Sequence, residues 1–586
     1  MQRTLPNIGT SRANSASQSD IESLSSFEYM GNYYVKDYEY LSPKVLQRGK
    51  DTNNIVASME GNKVGSCRLF ARLWLKEVMK GLKQFLYEGS LHGVKYIFEP
   101  TLSYKERVIW IIIVVISIAL CAVHIIQLFG KWHSTPFVNV IDSLPTPIWA
   151  VPFPTVVVCP HLHVQLSYAN VSELNELDQF FASLVCPQIN REKRALPHRL
   201  NPEENILMQE FIIKGSPKCT DVVKSCYWRP TKDSEWFDKE CCEKMFKPIF
   251  TDYGLCYAFN SLPLNGMTNE TVYWQRTFNK NATQLPMEWS LDNGYPKVFP
   301  PDPTMIPLRV MASGEVHGLG IELYLNNSEH QFSCDGNNVG FNVLISSPTD
   351  HVYTSTVLRL PMNKMTTIEV SPITYKTDTV LRALPPYQRQ CFFQDERKLD
   401  YFEFYSDSNC KHDLWMREVR KQCNCVVYNW PRLYIWESIC STKSDFRCIV
   451  DVRAKLEKQM TYAYYEDSQE ERKPNQETTS CHPACNDLLY SSQVFYSDLV
   501  SIPERKIQDW GIKTGEVTRI NVHFYDDIFL GQHRHTQYDD YYFAGAIGGL
   551  LSLFLGFSII SVAELIYFVL MKPVHLAFKK TFKSVE

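Results

Sequence analysis

The sequence lacks the short signatures of common catalytic and nucleotide-binding sites: there is no HExxH, GxSxG, Walker or Rossmann pattern. It also lacks a strong charge of either sign. A formal net charge of −4 over 586 residues offers neither the basic footprint of a nucleic-acid partner nor the mark of a strongly acidic one. No cleaved signal peptide is expected, because the first apolar run lies too far from the N-terminus and is too long. No internal repeat is present. These absences argue against an enzyme, against a bound cofactor and against nucleic acid as a partner. The length exceeds what one core holds.

Only two long apolar runs occur. The first, residues 108–130, is uncharged apart from His124 and long enough to span a bilayer. The second, residues 543–571, reads FAGAIGGLLSLFLGFSIISVAELIYFVLM and carries one charge, Glu564. A continuous helix over it would reach about 43 Å, against a hydrocarbon core of about 30 Å, so it must tilt, overshoot or break. At about 100° per residue, Gly545, Gly548, Gly549, Ser552 and Gly556 fall in one narrow sector. Such a stripe either lets helices approach closely or faces a water path. Glu564 favours the second reading, since a carboxylate in a span usually faces a bundle interior or an aqueous cavity.

Lys95, Lys105 and Arg107 precede the first run, and Lys572, Lys579, Lys580 and Lys583 follow the second. This bias puts both termini in the cytosol and residues 131–542 outside. Cysteine usage agrees: of 18 cysteines, Cys67 is cytosolic, Cys121 lies in the first span, and 16 lie in the loop. The sequons at Asn170, Asn269, Asn281 and Asn326 also lie in the loop. The loop is acidic between two slightly basic ends.

The N-terminal stretch, residues 1–66, is polar, Ser-rich and expected to be disordered. Residues 67–88 read as an amphipathic helix, with Arg68, Arg72, Lys76, Lys80 and Lys83 on one side and Phe70, Trp74, Val78, Leu82 and Phe85 on another. It would lie on the anionic inner leaflet or pack on its own protein. A loop carrying His92-Gly93 completes the segment 67–107.

Strands are expected at 155–159, 318–325, 339–346, 366–370 and 519–525, the last half-buried with Ile520, Val522 and Phe524 inward, and helices at 413–422 and 451–462. The loop is therefore an α+β domain stapled by disulfides. Its bridge-forming residues are Cys159, Cys186, Cys219, Cys226, Cys241, Cys242, Cys256, Cys334, Cys391, Cys410, Cys423, Cys425, Cys440, Cys448, Cys481 and Cys485. Their connectivity is not deducible from spacing. The pairs Cys241-Cys242, Cys423-Asn-Cys425 and Cys481-His-Pro-Ala-Cys485 also resemble zinc spacings, but outside the cell disulfides are the expectation, and no metal site is assigned. Arg191-Glu-Lys-Arg194 fits a proprotein-convertase site or a solvated basic loop. His533 and His535 stand close in sequence to Asp539 and Asp540, a crowd that can titrate near neutral pH if its members meet.

Two spans cannot enclose a path alone, so a conducting protein needs several subunits around an axis, with Asp539 and Asp540 drawing cations to the outer mouth. Several motifs now combine: LHGVKYI, FPTVVVC, RQCFFQDERKL, CNCVVYNWPRLYIWESIC, CHPACNDLLY and GGLLSLFLGFSIISVAELIYF. Together they resemble the degenerin/epithelial sodium channel family, most closely its pickpocket branch, over residues 88–575. The resemblance implies a trimer, as homomer or heteromer with related subunits, with hand-like ectodomains, conducting sodium and often blocked by amiloride. By position it makes Gly556-Phe557-Ser558 the selectivity segment, Gly545 the position where bulky substitutions hold relatives open, Ser552 a blocker site and His92-Gly93 a gating motif. Phe557 is larger than the usual residue, and Ala546 replaces an acidic residue of acid-sensing relatives.

The expectation is a plasma-membrane, sodium-preferring cation channel subunit, in contact with membrane lipid and opened by an extracellular stimulus such as a ligand, peptide, acid or force. The alternatives are a two-span scavenger- or lipid-transfer-type receptor, or a non-conducting subunit of a heteromer.

Overall fold

The computed structural model describes residues 74–576, apart from 90, 92, 135–136, 232–235, 238–239, 263, 270–287, 353–355, 435, 468–480 and 501–515. The N-terminal stretch 1–66, Cys67, His92, the Asn281 sequon and Lys579, Lys580 and Lys583 thus lie outside the described residues. Two compact units are formed, residues 1–110 with 559–586, and residues 111–558.

Within the first unit, residues 74–88 are helical, as the amphipathic pattern requires. The basic stripe is exposed at Lys76, Lys80 and Lys83, but the most buried line is Glu77, Gly81 and Phe85 rather than the Trp74, Val78, Leu82 row. Its cause is close contact with the C-terminal helix. A Cβ built on Gly81 would sit 2.0 Å from the Phe568 carbonyl oxygen, the Phe85 and Phe568 ring centroids are 6.5 Å apart, and Lys572 donates to Gln84 at 2.6 Å. The helix packs on its own protein.

The first apolar run forms a helix, Tyr104–Ser134, overrunning the expected 108–130 at both ends. From it the chain enters the disulfide-rich domain through the strand Phe137–Ile141, which pairs antiparallel with Gln532–Thr536, the strand leading to the second span. These belong to an eight-stranded sheet centred on the long strand Lys364–Thr377, with Val517–Phe524 parallel beside it and Gly318–Tyr324 beyond. A five-stranded antiparallel sheet has Thr155–Pro160 at its centre, between Gly340–Ser346 and Gly254–Phe259. The core between them holds an aromatic knot. Phe153 meets Trp228 at 4.9 Å, Phe524 at 5.5 Å and Phe259 at 6.2 Å between ring centroids.

All five expected strands are present, and the two expected helices extend to Asp407–Cys423 and Lys443–Asp467. One expectation fails. Val517–Phe524 is buried on both faces: Ile520, Val522 and Phe524 point one way with Thr518, while Val517, Asn521 and His523 on the opposite face are buried too. Two of its polar side chains are hydrogen-bonded within the sheet. Thr518 donates to the Lys364 carbonyl at 2.7 Å, and Asn521 accepts from the Tyr227 hydroxyl at 3.1 Å. An alternating strand at the middle of a sheet can therefore be covered twice.

All sixteen loop cysteines are bridged. Cys159–Cys256, Cys186–Cys334, Cys219–Cys242 and Cys226–Cys241 staple the sheets and their nearby helices. Cys391–Cys485, Cys410–Cys481, Cys423–Cys448 and Cys425–Cys440 staple the module around the two long helices, where Trp415 and Trp430 pack edge-to-face at 4.6 Å. No bridge joins the two sets. The zinc-like spacings are accounted for, since each sulfur of a close pair bonds a different, distant partner.

Gly81→Ala tests the helix contact by sign. On a free helix, Ala for Gly would gain about 1 kcal/mol. Against the Phe568 carbonyl it should instead cost about 1–3 kcal/mol, read as a lower melting temperature of the detergent-solubilised protein.

Candidate functional site

The second apolar run is not one helix. Asp539 opens it as an N-cap, accepting from the Tyr542 N–H at 2.6 Å, and the helix Asp540–Leu555 follows. Gly556 ends it. Its φ of +64° is left-handed, and the N–H groups of Gly556 and Phe557 fold back onto the Ser552 and Leu551 carbonyls at 2.9 and 3.3 Å. This is the glycine C-cap geometry that ordinary side chains disfavour. A new helix, Ile559–Ile566, starts after Ser558 and continues as a π-turn over Tyr567–Met571.

Sixteen residues of helix rise about 24 Å, too short to cross a hydrocarbon core. The unwound Gly556-Phe557-Ser558 therefore falls inside the apolar run 543–571 and not at its end. Within a bilayer, non-helical backbone is tolerated only inside protein or beside a water-filled cavity.

Which side of Asp540–Leu555 is occupied follows from its contacts. Phe543 stacks on Trp132 at 5.2 Å and meets Phe129 at 6.4 Å, and Phe554 stacks on His124 at 5.7 Å. Phe543 and Phe554 are about three turns apart, so they share one face, and that face packs on the first helix. Gly545, Gly548, Gly549 and Ser552 lie on the opposite face and are exposed. A Cβ at Gly545, Gly548 or Gly549 would meet nothing within 4 Å. Close packing of the small residues against the chain's own first span is thus ruled out as the reason for them.

Other expected site residues are placed as follows. Glu564 is half-buried on Ile559–Ile566, so the break removes it from the helix that carries the glycines. Gly93, with φ +79°, is the residue before the short helix Val94–Phe98. Asp540 is exposed in the first turn, whereas Asp539 spends one carboxylate oxygen on the cap. His533 and His535 do not meet either aspartate. They meet Asp378, which nothing in the local sequence marks.

At the basic loop, Arg191 donates to the Ser183 and Leu184 carbonyls at the end of the helix Glu176–Val185, while Arg194 is exposed in a turn. Asn170 and Asn326 each accept from the N–H of their own sequon serine, Ser172 and Ser328. The Asn269 amide donates to the Leu399 and Asp400 carbonyls. Among described residues that could gather on a metal, His163, Cys334 and Asp335 are close, but Cys334 is bridged to Cys186.

Burial raises three carboxyls of the disulfide-rich domain, Asp413 to about 6 and also Asp350 and Asp487. Burial pushes Asp350 up to about 6, with the Asp407 charge adding to it. Burial and the charge of Asp350 push Asp487 up to about 7. Asp350 sits in the turn after Gly340–Ser346, and Asp487 begins the strand Asp487–Asp498, its carboxylate accepting from the Leu488 N–H at 2.9 Å.

Comparison with known proteins gives a consistent result. The family model described as amiloride-sensitive sodium channel matches residues 85–568. Pickpocket protein 28 of Drosophila melanogaster is 23% identical, over 85% of this chain and 79% of its own length. Sodium channel protein Nach of the same species is 22% identical over 83% and 86%. Acid-sensing ion channel 2 of Homo sapiens is 22% identical over 82% and 84%.

The pair Asp350 and Asp487 predicts a pH dependence. Because both folded-state values lie above the ordinary carboxylate range, between about pH 4 and pH 7 the folded protein keeps protons that the unfolded chain has released. Their contribution is most favourable at the acid end of that window and declines as pH rises through the folded values. Asp487→Asn, which keeps an oxygen for Leu488, should raise the melting temperature at about pH 8 and do so by a smaller margin at about pH 5.

Proposed function

The chain belongs to the amiloride-sensitive sodium channel family, and from that premise we propose that it is one subunit of a trimeric, sodium-preferring, amiloride-sensitive cation channel of the plasma membrane, opened by an extracellular stimulus. The observation that carries this reading is the broken second span: an unwound Gly556-Phe557-Ser558 inside the apolar run, after a helix whose small-residue face turns away from the chain's own first span. Three such faces around an axis bring backbone carbonyls to one ring, where they can replace the water around a small cation. Phe557 does not prevent this, because the backbone presents the oxygen and the side chain is free to point elsewhere.

In this reading both termini are cytosolic, Asp539 and Asp540 lie at the outer mouth, Gly545 is at the narrowest closed point, Ser552 is in reach of a blocker, and Glu564 and the His92-Gly93 loop serve the inner pore. Asp350 and Asp487, which gain protons as the outside acidifies, make acid one stimulus to try first. The receptor alternative has no counterpart in the family match.

Voltage clamp of the expressed chain checks the proposal. Gly545→Val should leave a standing cation current, because a branched side chain at a threefold constriction obstructs closing; normal surface expression with unchanged resting conductance would count against it. Ser552→Cys should react with an aqueous thiol reagent and lose current, while Phe554→Cys, on the face packed against His124, should stay unmodified. Protection of Ser552→Cys in every state would remove the stripe from the pore.

A further inference from the structure

The strand that leads into the second span, Gln532–Thr536, carries histidines at alternate positions, so His533 and His535 stand on one face and Arg534 on the other. Arg534 is engaged on its own side, donating to the Arg389 carbonyl at 3.1 Å and lying over the Phe137 ring at 4.8 Å. The two imidazoles are parallel, with centroids 4.0 Å apart and an interplanar angle of 7°. Both converge on one carboxylate: His533 Nε2 is 3.1 Å from Asp378 Oδ1, and His535 Nδ1 is 2.6 Å from Asp378 Oδ2. A second carboxylate stands behind, with Asp142 Oδ1 3.6 Å from His533 Nδ1.

The backbone holds all four residues in place. His533 and His535 are paired with Val140 and Val138 across the ladder, and the Asp378 N–H donates to the Arg534 carbonyl at 3.0 Å. Asp142 is fixed by its own N–H, which donates to the Gly531 carbonyl at 2.8 Å. One ligand atom from each of Asp378, His533 and His535 lies within 4.8 Å of the others. All remain partly exposed, the side chains between 26% and 43%, so an ion has a way in.

We propose that Asp378, His533 and His535 form a binding site for a borderline divalent transition ion of the Zn2+ class. Two imidazole nitrogens and one carboxylate are the donor set that such ions prefer, whereas Ca2+ and Mg2+ require oxygen. The ion takes the place of the two ring protons now shared with Asp378, leaving a fourth position for water, with Asp142 near enough to orient it. A bound ion would tie the strand entering the second span to the end of the long strand Lys364–Thr377.

The test uses the full-length protein in detergent, stripped with chelator and titrated with ZnCl2 by calorimetry and with Co2+ by visible absorption. It needs no current, so it stands or falls apart from the channel reading. The expected result is one ion per chain at micromolar affinity or tighter, with tetrahedral Co2+ bands. The H533Q/H535Q variant keeps amide donors for Asp378 but offers poor ligands, and should weaken binding by about tenfold or more. H198A, which removes an exposed histidine paired with Glu204, should leave it unchanged. Absence of binding below about 100 µM, or unaltered binding in H533Q/H535Q, overturns the site and leaves a histidine–carboxylate hydrogen-bond cluster in its stead.

Discussion

Lipid cannot hydrogen-bond a peptide group, and that constraint governs how this chain can be used. A helix satisfies its own backbone, and the first span does so over Tyr104–Ser134 without interruption. The second span does not. Gly556 adopts a conformation that closes the helix above it, and the polypeptide runs unwound for three residues before Ile559 begins another. A protein that only needed anchoring would have no reason to interrupt that helix, since the interruption requires protein or water beside it.

The remaining features of the membrane region follow from that break. Aromatic residues on one face of Asp540–Leu555 fasten it to the first helix through Trp132 and His124, which leaves the glycine face to be met by something outside the single chain. Water and neighbouring subunits are the two partners that an open small-residue face can accommodate, and a symmetric pore supplies both. The same contacts explain why Phe543 and Phe554 are bulky while the residues between them on the other side are not.

Much of this was legible in the sequence, because it rests on local rules. The excess length of the second apolar run required a tilt, an overshoot or a break, and the even number of loop cysteines suited full pairing in an oxidising compartment. Strand positions such as Thr155–Pro160 follow from β-branched runs beside prolines. The helix Pro202–Gly215 is absent from the expected elements although Asn201 and Glu204 spell a capping box and the structure forms one. Other features are legible only in three dimensions. Which cysteine meets which, the double burial of Val517–Phe524, the Glu77-Gly81-Phe85 contact line and the role of Asp378 all depend on residues brought together from far along the chain.

The pairing of Phe137–Ile141 with Gln532–Thr536 sets how the disulfide-rich domain ties the two spans together. The strand leaving one span and the strand entering the other run antiparallel over five residue pairs, and the second is also stitched to the long strand of the sheet. Pulling one span lengthwise past the other would load all of those rungs in shear together, as in a lap joint. Swinging the pair as a unit leaves the five rungs between the two strands unloaded. For these two strands sliding is thus the stiff coordinate and joint rotation the softer one, as with two boards glued along an overlap.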